Sequence, residues 1–511
     1  MVSASPPNVH NVSPSLQVVA RRFDGLGGRL TALANAIAIG RIANVQPALA
    51  WLDSEDLFSN DPSELFSDPF LDRYLIEPSS LEGRVALEFL TFDELHEISQ
   101  QHRNRDGSSS AYVVVDVPIG LHPALAGLGS EGRRAFVDAF ESIEFTDPLE
   151  GVRKEVTPSL ARSRATGFHW RAGDVGSGPW RRAMWHQKYQ PSPVAELVVA
   201  QLVAEGTEVI VVSDDIEQAE RLARRVHGVR VSSDLFSDVD QLTPLQFAAA
   251  DLLVLSGCQR IIGPPLSAFS TLAALRTETD VEVLSDHVNP GQLEQLLASS
   301  LAASPECESR EGRIVAHDLI WFSDLLDQTL PPAILLDTCR RACTLDSEFT
   351  AAWARRARLA ARLGQLQEAR MAFERARATA ALDDRQEDSA VDADLADAVV
   401  ASLSLLWSAR GRRHRQELVD VAESALARCQ ARRPHRPPDA AIEGAQQLLS
   451  LVRRRTQGRI RLPSLRRLRH QLLLAPPWTQ PLDPEIKHGS RDYDPVANSI
   501  EGIYRILNDV E

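Results

Sequence analysis

With 511 residues, 44% of them apolar and 24% charged, the chain has the composition of an ordinary globular protein. At about 150 residues per domain, its length suggests about three cores. The formal charge of −15 excludes a general nucleic-acid binder, because such a protein needs a basic surface to displace counterions from phosphate.

Residues 1–17, MVSASPPNVHNVSPSLQ, have neither a basic start nor an apolar core, so no secretory signal is expected. Residues 1–14 read as a disordered tail. A β-prone run, Leu16–Ala20, leads into Asp24-Gly25-Leu26-Gly27-Gly28-Arg29. Behind it Leu30, Leu33, Ala34, Ile37 and Ala38 fall on one face of a helix. The stretch from Leu30 to Val45 reads as an amphipathic helix, interrupted by Arg41 and too short to span a bilayer. No transmembrane segment and a soluble, cytoplasmic protein are expected.

Strand, glycine turn and helix open an α/β unit. Further β-prone runs follow at 48–52, 85–90 and 111–117. A second series lies at 165–171, 207–214, 251–256, 260–263 and 281–284, with helical stretches at 194–205 and 216–226. Continuous apolar runs such as AYVVVDV and TEVIVVSD suit strands of a parallel sheet covered on both faces. Two such sets predict two Rossmann-type domains, residues 15–160 and 161–312, facing a cleft.

From residue 313 the pattern is helical. Trp353, Ala357, Gly364, Ala369, Phe373 and Ala376 stand at the spacing of a tetratricopeptide repeat, whose small residues let paired helices approach. Residues 333–347 fit the second helix of an earlier, degenerate repeat. Helices are also expected at 391–408 and 416–431, since a lone repeat must stack on neighbours. The helical module is assigned to 313–460, as a surface for a protein partner, with an extension at 461–511. The arginine clusters 410–415, 432–433 and 453–455 read as solvated helix faces.

The five cysteines, Cys258, Cys307, Cys339, Cys343 and Cys429, are odd in number and lack zinc-site spacing, so reduced thiols are expected. Cys339 and Cys343, four apart on an expected helix, read as packing residues.

Four places could carry chemistry. The glycine loop Gly25-Leu26-Gly27-Gly28 lets backbone approach a ligand and presents a helix N-terminus, or it is a structural tight turn. Phe168-His169-Trp170-Arg171-Ala172-Gly173-Asp174 puts polar side chains at the carboxyl end of a strand, where open α/β sheets bind ligands. Arg171 is suited to a diphosphate, or it pairs with Asp174. Ser213-Asp214-Asp215 ends another strand. A carboxylate there accepts from guanine N–H groups or caps the next helix, and capping suits at least one of the two. Ser267-Ala268-Phe269-Ser270-Thr271 opens a helix with hydroxyls suited to phosphate, or serves as a simple cap. Trp180, Trp185, His186 and Tyr189 would stack on a sugar or pack locally.

In their order and spacing, GLGGRL, HWRAGD, VVSDD and LSAFST resemble the motifs of the fucosyltransferase-like superfamily, over about residues 16–300. That superfamily includes nodulation-type α1,6-fucosyltransferases and protein O-fucosyltransferases. The resemblance implies a GT-B pair of Rossmann-type domains and a glycosyltransferase using GDP-fucose as donor, with a glycan or protein hydroxyl as acceptor. It implies an inverting displacement with no metal and no cofactor besides the donor. Arg171 would then neutralise the leaving diphosphate, and Asp24 would be the base, where some relatives have a Glu. His169 and Asp214 or Asp215 would lie near the nucleoside, while Ser270 and Thr271 would bond the diphosphate. Gly25, Gly27, Gly28, Arg29, Asp174, Ser267 and Phe269 complete the implied donor-binding set. The chain departs from some relatives in having Ala172 after Arg171 instead of a second arginine. It also has Gly176-Ser177-Gly178-Pro179 where others carry a Glu. A catalytically inactive scaffold acting through its helical module is the alternative reading.

Overall fold

The computed structural model describes residues 16–380, apart from 23–24, 54–60, 83, 105–110, 118, 172, 174–187, 237–240 and 266. The expected helices at 391–408 and 416–431, the arginine clusters and the extension therefore lie outside the described residues. The chain divides into two compact units. One comprises residues up to Trp170 together with Val199–Val283; the other comprises Arg171–Val198 and the residues from Leu284 onward.

The first unit contains two five-stranded sheets whose neighbouring strands all pair parallel. Strands β1 (Gln17–Arg22), β2 (Gln46–Trp51), β3 (Leu75–Ile76), β4 (Val85–Leu87) and β5 (Ala111–Val115) stand in the order β3-β2-β1-β5-β4. Strands β6 (Thr166–Trp170), β7 (Val209–Ser213), β8 (Val229–Val231), β9 (Arg260–Gly263) and β10 (Val281–Val283) stand in the order β10-β9-β6-β7-β8. The expected α/β class, a pair of Rossmann-type sheets with helices between their strands, is what the chain forms.

Residue alternation sorts the faces of the first sheet. Val18, Ala20, Leu49, Val113 and Val115 enter the large core that also contains the helix Leu26–Ala43. Val19, Ala48, Ala50 and Tyr112 point the other way and pack with Leu81. Leu81 belongs to the short connection from β3, at one edge, to β4, at the other. Reversing the direction of travel across a parallel sheet puts a right-handed connection on the opposite face, which accounts for this placement.

Two elements differ from expectation. The helix Leu26–Ala43 is not amphipathic, since every residue from Leu26 to Gly40 is buried. It packs against both β1 and the helices Ser130–Glu141 and Ala268–Thr277, so it has no solvent face before Arg41. Burying Leu30, Leu33, Ile37 and Ile39 contributes up to about 2 kcal/mol each. The run Asp251–Ser256, expected as a strand, is instead the end of the helix Pro244–Leu255. Thr243 caps this helix by accepting from Gln246 N at 3.2 Å, while the Gln246 side chain accepts from Thr243 N at 3.0 Å. Leu245 and all residues from Ala249 to Leu255 are buried, and an all-round apolar helix has no period to distinguish it from a buried strand.

The second unit includes the helices Pro290–Ala302, Arg310–Leu325, Pro332–Leu345, Thr350–Arg362 and Leu366–Ala380, each packed on the next. The tetratricopeptide-like spacing falls on the last two, with Ala357, Ala369 and Ala376 buried and Gly364 turning the chain at φ +76°. Pro332–Leu345 is the helix expected for the degenerate repeat, and it buries Cys339 and Cys343. Arg355, 1% exposed, braces the helices by pairing with Asp324 at 3.0 Å and Asp327 at 2.7 Å. It also donates to the Ser323 carbonyl at 2.6 Å.

Candidate functional site

The order of the second sheet sets its geometry. From β6 the chain steps to β7 and β8 on one side, then returns to add β9 and β10 on the other. The topological switch point therefore lies between β6 and β9, and the crevice at the carboxyl ends of those strands is where such sheets bind ligands. His169, next to last in β6, stands on one side of it. Gly263 ends β9 on the other, and the helix Ala268–Thr277 starts just beyond.

These elements are tied together. His169 is 7% exposed, and its Nδ1 shares a 2.6 Å hydrogen bond with Ser270 Oγ. The His169 ring also lies 5.1 Å from that of Phe269. Ser267 caps the helix, its Oγ accepting from Ser270 N at 3.3 Å. Such a cap contributes about 1 kcal/mol. Gly263 makes room for the serine: a Cβ there would come within 2.5 Å of Ser270 Oγ. The Ser270 hydroxyl is thus a support for His169, whereas Thr271 is half-buried at the same helix start.

The glycine loop joins the same place from the first sheet. A Cβ on Gly27 would lie 2.7 Å from Phe269 N and 2.9 Å from Phe269 Cα, so the first turns of two helices meet backbone to backbone. Gly27 is a close-packing residue. Gly25, by contrast, is exposed with nothing within 4 Å of a Cβ. The amides of Gly28 and Arg29 donate to Gly25 O at 3.1 and 3.3 Å within the turn. Arg29 is buried, donates to the Leu52 carbonyl at 2.6 Å and lies 4.6 Å above the Trp51 ring.

The two aspartates after β7 separate by role. Asp215 is buried and caps the helix Ile216–Arg225, accepting from Gln218 N at 3.1 Å; Asp214 is exposed. Arg171 follows β6 in the chain and is half-buried, its amide donating to Gln190 Oε1 at 3.1 Å. Tyr189 is buried, its hydroxyl donating to Asp318 Oδ1 at 2.7 Å, so it packs against the helix Arg310–Leu325. Asp24, Asp174, Trp180, Trp185 and His186 lie outside the described residues.

Some residues were not singled out by the sequence. The switch point of the first sheet lies between β1 and β5, and there buried Arg22 pairs with Asp116. Opposite charges at the ends of two adjacent parallel strands are the signal that could have found them. Nearby, Asn35 donates to the carbonyl of Gly120 at 3.1 Å and accepts from the His122 amide at 2.7 Å. Burial lowers the His122 imidazole to about 4. Burial also raises the Asp251 carboxyl to about 7, against a lowering hydrogen bond from Ser232.

Among the described residues no three of His, Cys, Asp or Glu stand together as metal ligands would. Among them, too, no helix is long and apolar enough to cross a membrane.

No family model and no curated protein matches the chain. Among solved structures it is similar to the fucosyltransferase NodZ from Bradyrhizobium, at 16% identity over 51% of this chain and 92% of that one, with a TM-score of 0.33. A mutant of Arabidopsis thaliana FUT1 in complex with GDP gives 16% identity over 54% and 71%, with a TM-score of 0.35. Apo POFUT1 gives 9% identity over 55% and 99%, with a TM-score of 0.33.

Proposed function

We propose that the chain is a glycosyltransferase of the GDP-fucose type, transferring the sugar to a hydroxyl of a glycan or protein. The observation that carries the reading is the convergence on one switch point of His169, the helix start from Ser267 to Thr271, and the Gly27 turn behind Phe269. That convergence supports a diphosphate site, because a helix start with amides and hydroxyls suits an anion at the carboxyl end of a parallel sheet.

The reaction is an inverting displacement without a metal ion. The acceptor oxygen attacks the anomeric carbon while the bond from that carbon to the β-phosphate oxygen breaks. Its electron pair leaves with GDP, and the acceptor proton passes to a base, assigned to Asp24. Arg171 meets the charge that grows on the leaving diphosphate. With Ser270 Oγ engaged by His169, Thr271 and the first helix amides are the groups for phosphate. With Asp215 engaged as a cap, Asp214 is the carboxylate for the guanine.

The test is a thermal titration of the full chain against GDP, GDP-fucose and a UDP-sugar. A native-state ligand at a hundred times its Kd adds about 2.7 kcal/mol and raises the midpoint. A rise with the GDP species alone is expected, and no shift with any of them refutes the reading. Arg171→Ala should abolish transfer with the fold intact. Asp24→Asn should lower turnover and spare donor affinity, and an unchanged rate removes Asp24 as base.

A further inference from the structure

We infer that Gln190, Tyr189 and Asp318 are positioning residues for Arg171, through which the helical unit holds the backbone of the proposed catalytic arginine. This rests on the role given to Arg171 above. Gln190 meets the Arg171 backbone at two points: its side-chain Oε1 accepts from the Arg171 N–H at 3.1 Å, and its backbone N–H donates to the Arg171 carbonyl at 3.3 Å. It does so from a buried position, 2% exposed. A bond from one residue's backbone N–H to a buried side-chain oxygen is costly to disrupt, because a polar group left without its partner bears its desolvation penalty.

The grip is itself anchored. Tyr189, the preceding residue, puts its hydroxyl 2.7 Å from Asp318 Oδ1 and 3.4 Å from the Ile314 carbonyl, both on the helix Arg310–Leu325. Its ring lies 5.1 Å from that of His317, which stacks at 3.8 Å on Phe349, just before the helix Thr350–Arg362. A continuous chain of buried contacts therefore runs from the first helix of the repeat-like hairpin to Arg171. The Asp318 carboxyl is raised to about 7 by complete burial, although the Tyr189 hydroxyl and the Ser192 amide favour its charged form. On this account the compact unit that contains Arg171 also holds it in place, since an arginine meeting a leaving group must be held to a fraction of an ångström.

Hydrogen exchange and kinetics on the full-length protein test this with Gln190→Ala, Tyr189→Phe and Asp318→Asn. Tyr189→Phe keeps the ring against His317 and removes one hydroxyl. Asp318→Asn keeps an oxygen that can accept from Tyr189. Expected are roughly tenfold faster exchange in the peptide that contains the Arg171 amide for Gln190→Ala and Tyr189→Phe, and near-native exchange for Asp318→Asn. Turnover should fall at least about tenfold in the first two, with KM for the donor changed less than kcat, and stay near the parent's in Asp318→Asn. Unchanged exchange at Arg171 in both disruptive variants overturns the inference, and so does faster exchange with unchanged kcat. The exchange measurement needs no donor. Faster exchange, together with full turnover in Arg171→Ala, would leave the anchor in place and reject the role of Arg171.

Discussion

Replacing Gly27 by alanine probes the contact between the two sheets' helices directly. The added Cβ would lie 2.7, 2.9 and 3.0 Å from Phe269 N, Phe269 Cα and Ala268 C, all backbone atoms that no rotamer change can move. Overpacking of this kind costs about 1–3 kcal/mol, and rigid partners put it near the upper end. Gly→Ala in a helix returns roughly 0.5–1 kcal/mol. A net loss of about 2 kcal/mol follows. In a unit of this size that lowers the thermal midpoint by roughly 4–8 °C. Gly25→Ala is the matched control: its φ of −60° and ψ of 164° suit any L-residue, and a Cβ there meets nothing within 4 Å. Its midpoint should stay within about a degree or two of the parent, the entropic gain offsetting the poorer cap. Differential scanning calorimetry of both variants decides the matter. If Gly27→Ala melts together with Gly25→Ala, the backbone contact does not exist and the convergence of motifs loses its main support.

Two further predictions concern buried charge. Arg355→Ala removes the arginine that Asp324 and Asp327 share, with Asp327 keeping Arg362 at 3.5 Å, and should destabilise the helical unit by at most about 3–5 kcal/mol, read by urea unfolding; a loss below 1 kcal/mol would contradict the buried pairing. Asp251 keeps its proton in the folded state up to about 7, whereas it ionises near 3.8 when unfolded. The stability its burial allows is therefore complete below pH 4 and lost as pH rises to 7, a span worth up to about 4 kcal/mol. Asp251→Asn should accordingly gain on the parent between pH 5 and pH 8 in thermal melts, and a pH-independent difference would refute the burial.

How far the sequence could be read depended on the range of each interaction. The strands at AYVVVDV and TEVIVVSD were legible because β-branched apolar runs bounded by polar residues have no other good solution. The run DLLVLS has the same local look but is helical. The informative signal, Thr243-Pro244 with Gln246 at capping-box spacing, lies upstream of the run itself. The motif positions were visible as polar groups at strand ends. The division of labour among them was not, because it is set by remote partners: Ser270 meets His169, Gly27 meets Phe269, and Arg29 meets Leu52. Asp215 was half-legible, since its capping bond is local, and that bond distinguishes it from Asp214. The sequence around Tyr189 suits a sugar-stacking ring and a packing ring equally well, because the partner that decides between them, Asp318, lies on a helix remote in the chain.

The lengths of the outermost strands bear on how copies of this chain meet. The first sheet ends in β3 and β4, of two and three residues, and the second in β8 and β10, of three each. A margin that short exposes too few unpaired amides and carbonyls to recruit a foreign strand, which is the usual route from parallel sheets to fibrils or swapped dimers. Among the described residues, both sheets thus taper into poor templates for strand addition.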